Sequence, residues 1–190
     1  MFDKIENPIE NWKDYENNNP NIIKRIEHDL INGNPFHYLF TGVVGCGKTF
    51  LANHIVNIKP YSEYNWHCVT VKRFYETYLQ YIQGNYSDKW DAIKRHNMEF
   101  KTKCLFLDDL GDERPATEAS HDYFGGLIES RHIYIQRHNE SRTIITTNLG
   151  ANEIISMYGS RVFDRIQEYF VICKFKTTSF REKKEIIIES

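Results

Sequence analysis

The octapeptide Gly42-Val43-Val44-Gly45-Cys46-Gly47-Lys48-Thr49 constrains this chain more than any other stretch, because it fits G-x-x-x-x-G-K-[ST] at every fixed position. The pattern needs a buried strand before it and a helix after it. Phe36 to Phe40 is an apolar run that reads as the strand, and Phe50 to Val56 has helical character. Glycines let the backbone turn its amides toward phosphates, and the helix that follows presents its positive end. Lys48 then neutralises the β and γ phosphates, and the Thr49 hydroxyl can ligate Mg2+. Residues 42 to 50, Phe50 included, are the nucleotide-binding candidates. An ordinary glycine turn is the competing reading, and the flanking strand and helix speak against it. Cys46 reads as a small filler within the loop, with a reactive thiol as the alternative.

A length of 190 residues suits one α/β domain and leaves little room for a second. Lys and Arg number 24 against 26 Asp and Glu, so the net charge of -2 offers no global attraction for nucleic acid. Any such binding has to be local or shared among subunits. Cys46, Cys68, Cys104 and Cys173 lie far apart without a C-x-x-C pair and read as reduced thiols of a cytoplasmic protein. The eight histidines show no metal-ligand spacing. Met1 to Glu6 lacks a leader pattern, and no run of about 18 apolar residues suggests a membrane span.

Residues 1 to 20, rich in Asn and bearing Pro8 and Pro20, read as an extended strap with Trp12 and Tyr15 as anchors. Residues 21 to 190 read as the domain itself. A helix is expected over Asn21 to Ile31 with Gly33 as its stop, then, after the phosphate loop, a strand over Trp66 to Val71. Phe74, Tyr75, Tyr78, Leu79 and Ile82 recur at helical spacing, and another helix is expected from Ser87 or Asp88 to about Phe100. Cys104 to Leu107 is a third strand. A long helix from Glu118 to Arg137 leads to a fourth strand, Arg142 to Thr147. Two helical segments, near Asn152 to Met157 and Ser160 to Gln167, precede a fifth strand over Tyr169 to Cys173. Strands alternating with helices imply a largely parallel sheet covered on both faces.

The strand Leu105-Phe106-Leu107 ends in Asp108-Asp109, placing two carboxylates at the edge where open α/β sheets bind ligands. Asp108 is the metal-side carboxylate, and Asp109 is the candidate for positioning or deprotonating an attacking water. Capping of the turn into Leu110-Gly111 is the alternative use of one of them. Asp112 and Glu113 are nearby competitors for the base role and read otherwise as solvated loop residues. Asn148 ends the fourth strand, where an amide orients water or touches the γ phosphate, unless it only forms the turn Asn148-Leu149-Gly150. Arg161 and Arg181 are the two cations that could stabilise γ-phosphate charge, in the same subunit or from a neighbour; by spacing alone each is equally a surface arginine.

Together these segments resemble the DnaC/IstB-like branch of the AAA+ ATPases, the helicase loaders and transposition helpers. The resemblance runs from about Trp12 to Arg181 and rests on the phosphate loop, the Walker B strand Leu105 to Gly111, the sensor-1 strand Ile144 to Asn148, and Tyr158-Gly159-Ser160-Arg161-Val162-Phe163-Asp164-Arg165. It implies a P-loop NTPase three-layer sandwich with a parallel five-stranded sheet of order 5-1-4-3-2 and a reduced or absent helical lid. It also implies ATP and Mg2+ as ligands and slow, oligomer-dependent hydrolysis. Arg161 resembles the arginine finger, acting on ATP held by an adjacent subunit, with Arg165 as fallback, and Arg181 resembles sensor 2, reading ATP in the same subunit. Many AAA+ proteins carry glutamate at the place of Asp109, and relatives generally carry an N-terminal partner-binding domain where this chain has 41 residues before Gly42.

The function so implied is helicase loading in a bacterial or phage-infected cell. Subunits would assemble with ATP into a spiral that holds single-stranded DNA and helps place a DnaB-type replicative helicase. The aromatic stripe Phe74, Tyr75, Tyr78 and Tyr81, followed by Lys89, Lys94, Arg95, Lys101 and Lys103, is the expected DNA surface, with a core stripe and a solvated face as the alternative. Two rival readings use the same residues: an IstB-type transposition helper, and a nucleotide-gated adaptor that antagonises a host loader and scarcely hydrolyses ATP.

Overall fold

The computed structural model describes residues 20–57, 61–83, 101–113 and 117–175. The chain divides into two compact units, Met1–Asn34 and Pro35–Ser190. In the first, helix α1 (Pro20–Ile31) opens on a proline, whose fixed φ suits a first helical turn, and buries Ile23 and Ile26. It ends where Gly33 turns to φ +65° and the amides of Gly33 and Asn34 return to the carbonyls of Leu30 and Asp29, at 3.2 and 3.1 Å. The strap expected over residues 1 to 20 lies, apart from Pro20, outside the described residues.

The second unit holds a five-stranded parallel sheet of order β2-β3-β4-β1-β5, which read from the other edge is the implied 5-1-4-3-2. Its strands are β1 (His37–Thr41), β2 (Trp66–Thr70), β3 (Cys104–Leu110), β4 (Arg142–Thr147) and β5 (Val171–Lys174). The helices between them are α2 (Lys48–Asn57), α3 (Val71–Gln83), α4 (Glu118–Arg137), α5 (Ala151–Tyr158) and α6 (Ser160–Tyr169). The chain crosses from β1 to β2 at the far edge and then adds β3, β4 and β5 in the opposite direction, so right-handed crossovers place α2 on one face and the later helices on the other. Phe74 and Tyr75 of α3, Phe124 and Ile128 of α4, and Val162 and Ile166 of α6 accordingly share one apolar cluster with Leu107 and Ile145 of the sheet. Every residue of β4 is buried, as a strand covered on both faces requires.

Two features depart from the sequence reading. Phe74 and Tyr75 are 1% and 3% exposed, and Tyr78 stacks on Tyr123 with centroids 4.1 Å apart, so this part of the aromatic stripe is core rather than a platform for bases. The side chain of Tyr81, with Lys89, Lys94, Arg95 and the helix expected to run to Phe100, lies outside the described residues, as does any lid beyond residue 175. Strand β3 runs on past Leu107 to Leu110. Leu107 pairs with Ile145 and Leu110 with Thr147, so β3 spends one extra residue between the two pairs, and Asp109 takes it up at φ +58°.

Candidate functional site

The order reverses between β1 and β4, and the C-terminal ends of such a pair form the crevice where open α/β sheets take ligands. The phosphate loop leaves β1 there. Gly42 turns at φ +154°, and a Cβ on it would come within 2.9 Å of the Phe175 carbonyl oxygen and 3.1 Å of Cys46 Sγ, so only glycine fits. Cys46 is buried beneath the loop as a filler, whereas Val43 and Val44 are exposed on its crest. Lys48 opens α2 and is almost wholly buried. Its Nζ donates to three oxygens, Gly42 O at 2.8 Å, Val43 O at 2.9 Å and Asn148 Oδ1 at 2.8 Å, with Cys46 Sγ a longer contact at 3.6 Å. All three oxygens are uncharged, and a phosphate oxygen would make a stronger, charge-assisted partner for the same cation. Phe50 follows, half-buried, in the first turn of α2.

Thr49 Oγ1 donates to Asp108 Oδ1 at 2.9 Å, joining the loop to the end of β3. Thr146 Oγ1 donates to the same oxygen at 2.5 Å and accepts from the Asp109 amide at 2.9 Å. One buried hydroxyl on β4 therefore holds both acidic residues. The Thr49 hydroxyl and the Asp108 carboxylate are hard oxygen donors, which fits Mg2+, a cation that uses one or two protein ligands and completes its shell with phosphates and water. Asp109 occupies the left-handed region, where Asp is several-fold enriched over other non-glycine residues. The turn beyond it is closed by Asp112 N–H to Asp109 O at 3.0 Å, and by Thr147 Oγ1 donating to Leu110 O at 2.6 Å. Thr41 Oγ1 donates to Leu149 O at 2.6 Å, which fastens the end of β1 to the turn after Asn148. On β2, burial and then the charge of Asp108 push the Cys68 thiol up to about 11, so it stays protonated.

Gly42, Lys48, Thr49, Asp108 and Asn148 are thus brought together by direct hydrogen bonds, with Asp109 tied in through Thr146. Arg161 is not among them. It stands in the first turn of α6 with 76% of its side chain exposed, and its Nε lies 3.0 Å from Glu129 Oε1 on α4. Arg165 is less exposed and pairs with Glu168 at 2.9 Å. Arg181 lies outside the described residues. Glu113 is corrected: it is no solvated loop residue but is 1% exposed, accepting a hydrogen bond from the Tyr158 hydroxyl. Sequence reasoning also missed Thr146 and Phe175. The hydroxyl pair Thr146-Thr147 at the end of an apolar strand carried a usable signal; nothing near Phe175 did.

No protein-family model and no curated protein matches the chain. Solved structures do match it. A crystal structure of the DnaC helicase loader aligns with a TM-score of 0.60 at 23% identity, over 86% of this chain and 99% of that one. AMPPCP-bound DnaA from Aquifex aeolicus gives 0.61 at 18% identity, over 83% of this chain and 46% of that one. A replication initiator DnaA bound to AMPPCP and single-stranded DNA gives 0.64 at 17% identity, over 86% and 50%. The chain spans nearly all of the DnaC chain and about half of each DnaA chain. These likenesses show that it has the AAA+ P-loop α/β fold.

Proposed function

We propose that this chain is an ATP-hydrolysing replication factor, a helicase loader whose active sites are completed between subunits. One observation carries the reading: the phosphate loop, Asp108 and Asn148 are joined by hydrogen bonds at the C-terminal end of the sheet, while Arg161 is largely exposed and pairs with Glu129 on α4. The likeness in fold to a helicase loader, and to an initiator bound to a nucleotide analogue and single-stranded DNA, supports the class of function.

In this reading the loop amides and Lys48 hold the β and γ phosphates of ATP, releasing loop carbonyls as they do so. Thr49 and Asp108 hold the Mg2+, which when bound neutralises charge on the phosphates. Asp109 orients a water and accepts its proton as the water oxygen attacks the γ phosphorus and the bond to the β-γ bridging oxygen breaks, giving ADP and phosphate. Asn148 keeps Lys48 and the water aligned from the end of β4. Arg161 of a neighbouring subunit exchanges its Glu129 contact for the γ phosphate and stabilises the charge that builds there, and Arg181 reads the nucleotide in its own subunit. Assembly with ATP orders a spiral that holds single-stranded DNA and delivers a DnaB-type helicase.

Arg161→Ala is expected to bind a fluorescent ATP analogue normally and to lose turnover by at least about 100-fold, within the range known for arginine fingers. Adding Lys48→Ala subunits, which cannot use ATP but carry an intact Arg161, should restore part of it. Normal turnover by Arg161→Ala alone would refute the shared site. Tight ATP binding by the native protein without turnover at saturating protein and DNA would favour the nucleotide-gated adaptor, the reading that the short carboxylate of Asp109 suits.

A further inference from the structure

Two positions beyond Gly111, the Glu113 carboxylate is nearly sealed from water. A buried carboxylate needs partners. The Tyr158 hydroxyl donates to Glu113 Oε1, and the other carboxylate oxygen has no hydrogen-bond partner among the described residues. Tyr158 is the last residue of α5. Gly159 turns the chain at φ +89°, and Ser160 and Arg161 start α6. The same corner is held from below by α4, where Gly125 lacks a side chain. A Cβ there would lie 3.5 Å from Val162 Cγ2 and 3.6 Å from the Tyr158 carbonyl oxygen. The corner that presents Arg161 is therefore seated on α4 and tied by one polar pair to the loop leaving Asp108 and Asp109.

For stability alone this pair is a poor choice, since apolar groups of the same size would fill the space without a desolvated charge. What a directional bond adds is one fixed position. We propose that Glu113 and Tyr158 are a positioning pair that holds the α5–α6 corner, and with it Arg161, in register with the acid loop of its own subunit. The inference rests on the reading that Arg161 serves the neighbour's nucleotide. The acid loop acting on one ATP and the arginine offered to the next would then move as one body.

The test uses the full chain carrying Glu113→Met together with Tyr158→Phe, which leaves no buried carboxylate unpaired. Its melting temperature is expected within about 4 °C of native, and its affinity for a fluorescent ATP analogue within about twofold. Turnover should fall about 10- to 100-fold, the scale of a misplaced catalytic group, and should return when Lys48→Ala subunits supply a native corner. Glu113→Gln, which still accepts from the Tyr158 hydroxyl, should retain near-native turnover even if the double variant melts early. Unchanged turnover in the double variant overturns the pair's role. So does a loss of the same size in Glu113→Gln, or a loss that Lys48→Ala subunits fail to relieve although they rescue Arg161→Ala. If they do not rescue Arg161→Ala either, the shared-site reading is what fails, and the pair's role falls with it.

Discussion

At the N-terminal end of the sheet Arg131 reaches from α4 to Thr143 Oγ1 at 2.9 Å, Thr102 O at 2.5 Å and Arg142 O at 2.8 Å, while at the C-terminal end Lys48 reaches Gly42 O, Val43 O and Asn148 Oδ1. Both cations are 5% exposed or less. Their acceptors differ in kind. Those of Arg131 belong to β4 and to the segment entering β3, so letting go of them frays two strands. Those of Lys48 belong to a glycine loop and a side-chain amide, which can be exchanged for phosphate without unpairing a strand. A buried cation consolidates the fold when its acceptors are part of the sheet and serves binding when they are replaceable.

The largest expected effect separates the two ends outright. Lys48→Ala should weaken Mg2+-ATP binding by roughly 1000-fold, as loss of a charge-assisted contact in a dry site implies. Titration with a fluorescent analogue reads the loss, and the urea midpoint should stay close to native; a protein that instead unfolds would place Lys48 with the structural cations. Next comes Arg131→Met, which keeps the packing and strands the three close acceptors, with Lys103 O at 3.5 Å as a fourth. It is expected to cost about 3 kcal/mol in urea unfolding, from about 1 kcal/mol or more for each buried group left without its partner. Intact analogue affinity below the transition would sharpen the contrast.

The smallest effect concerns pH. Burial first, and then the charges of Arg131 and Arg142, hold His37 down at about 3, with its Nδ1 3.1 Å from Thr143 Oγ1. Between that value and the ordinary 6.5 the unfolded chain binds a proton that the folded chain refuses, so stability falls as pH drops through this window and is fully present above it. About 2 kcal/mol should be lost by pH 5 from this residue. In His37→Gln the loss between pH 7 and pH 5 should shrink by that amount in urea melts, and an unchanged pH dependence would show that His37 does not titrate below its ordinary range in the folded protein.

Much of the site was legible before any fold was in view. Lys48 and Thr49 open a helix, Asp108 follows the apolar run of β3 and Asn148 follows β4, and a parallel sheet brings such positions together at its C-terminal end. The limits read for α4, Glu118 to Arg137, and for β4, Arg142 to Thr147, match the structure, where Thr117 caps the helix and every residue of the strand is buried. Phe74 and Tyr75 show where reading by pattern stops. A helix that alternates aromatics with charges has one wet and one dry face whatever it packs on, and the sequence does not say whether the dry face meets bases or a neighbouring helix.

Local chemistry alone therefore pointed to a phosphate-bearing ligand and determined the strand-loop-helix, since a turn of glycines followed by lysine and threonine is built from adjacent residues. The packed structure alone decided the rest. The bulge at Asp109, the hydroxyl of Thr146 shared by both carboxylates, and the burial of Glu113 against Tyr158 depend on residues 37 to 45 positions apart in sequence. Contacts at that separation leave no periodicity to read, because the chain between them is free to close in many ways until the sheet register selects one.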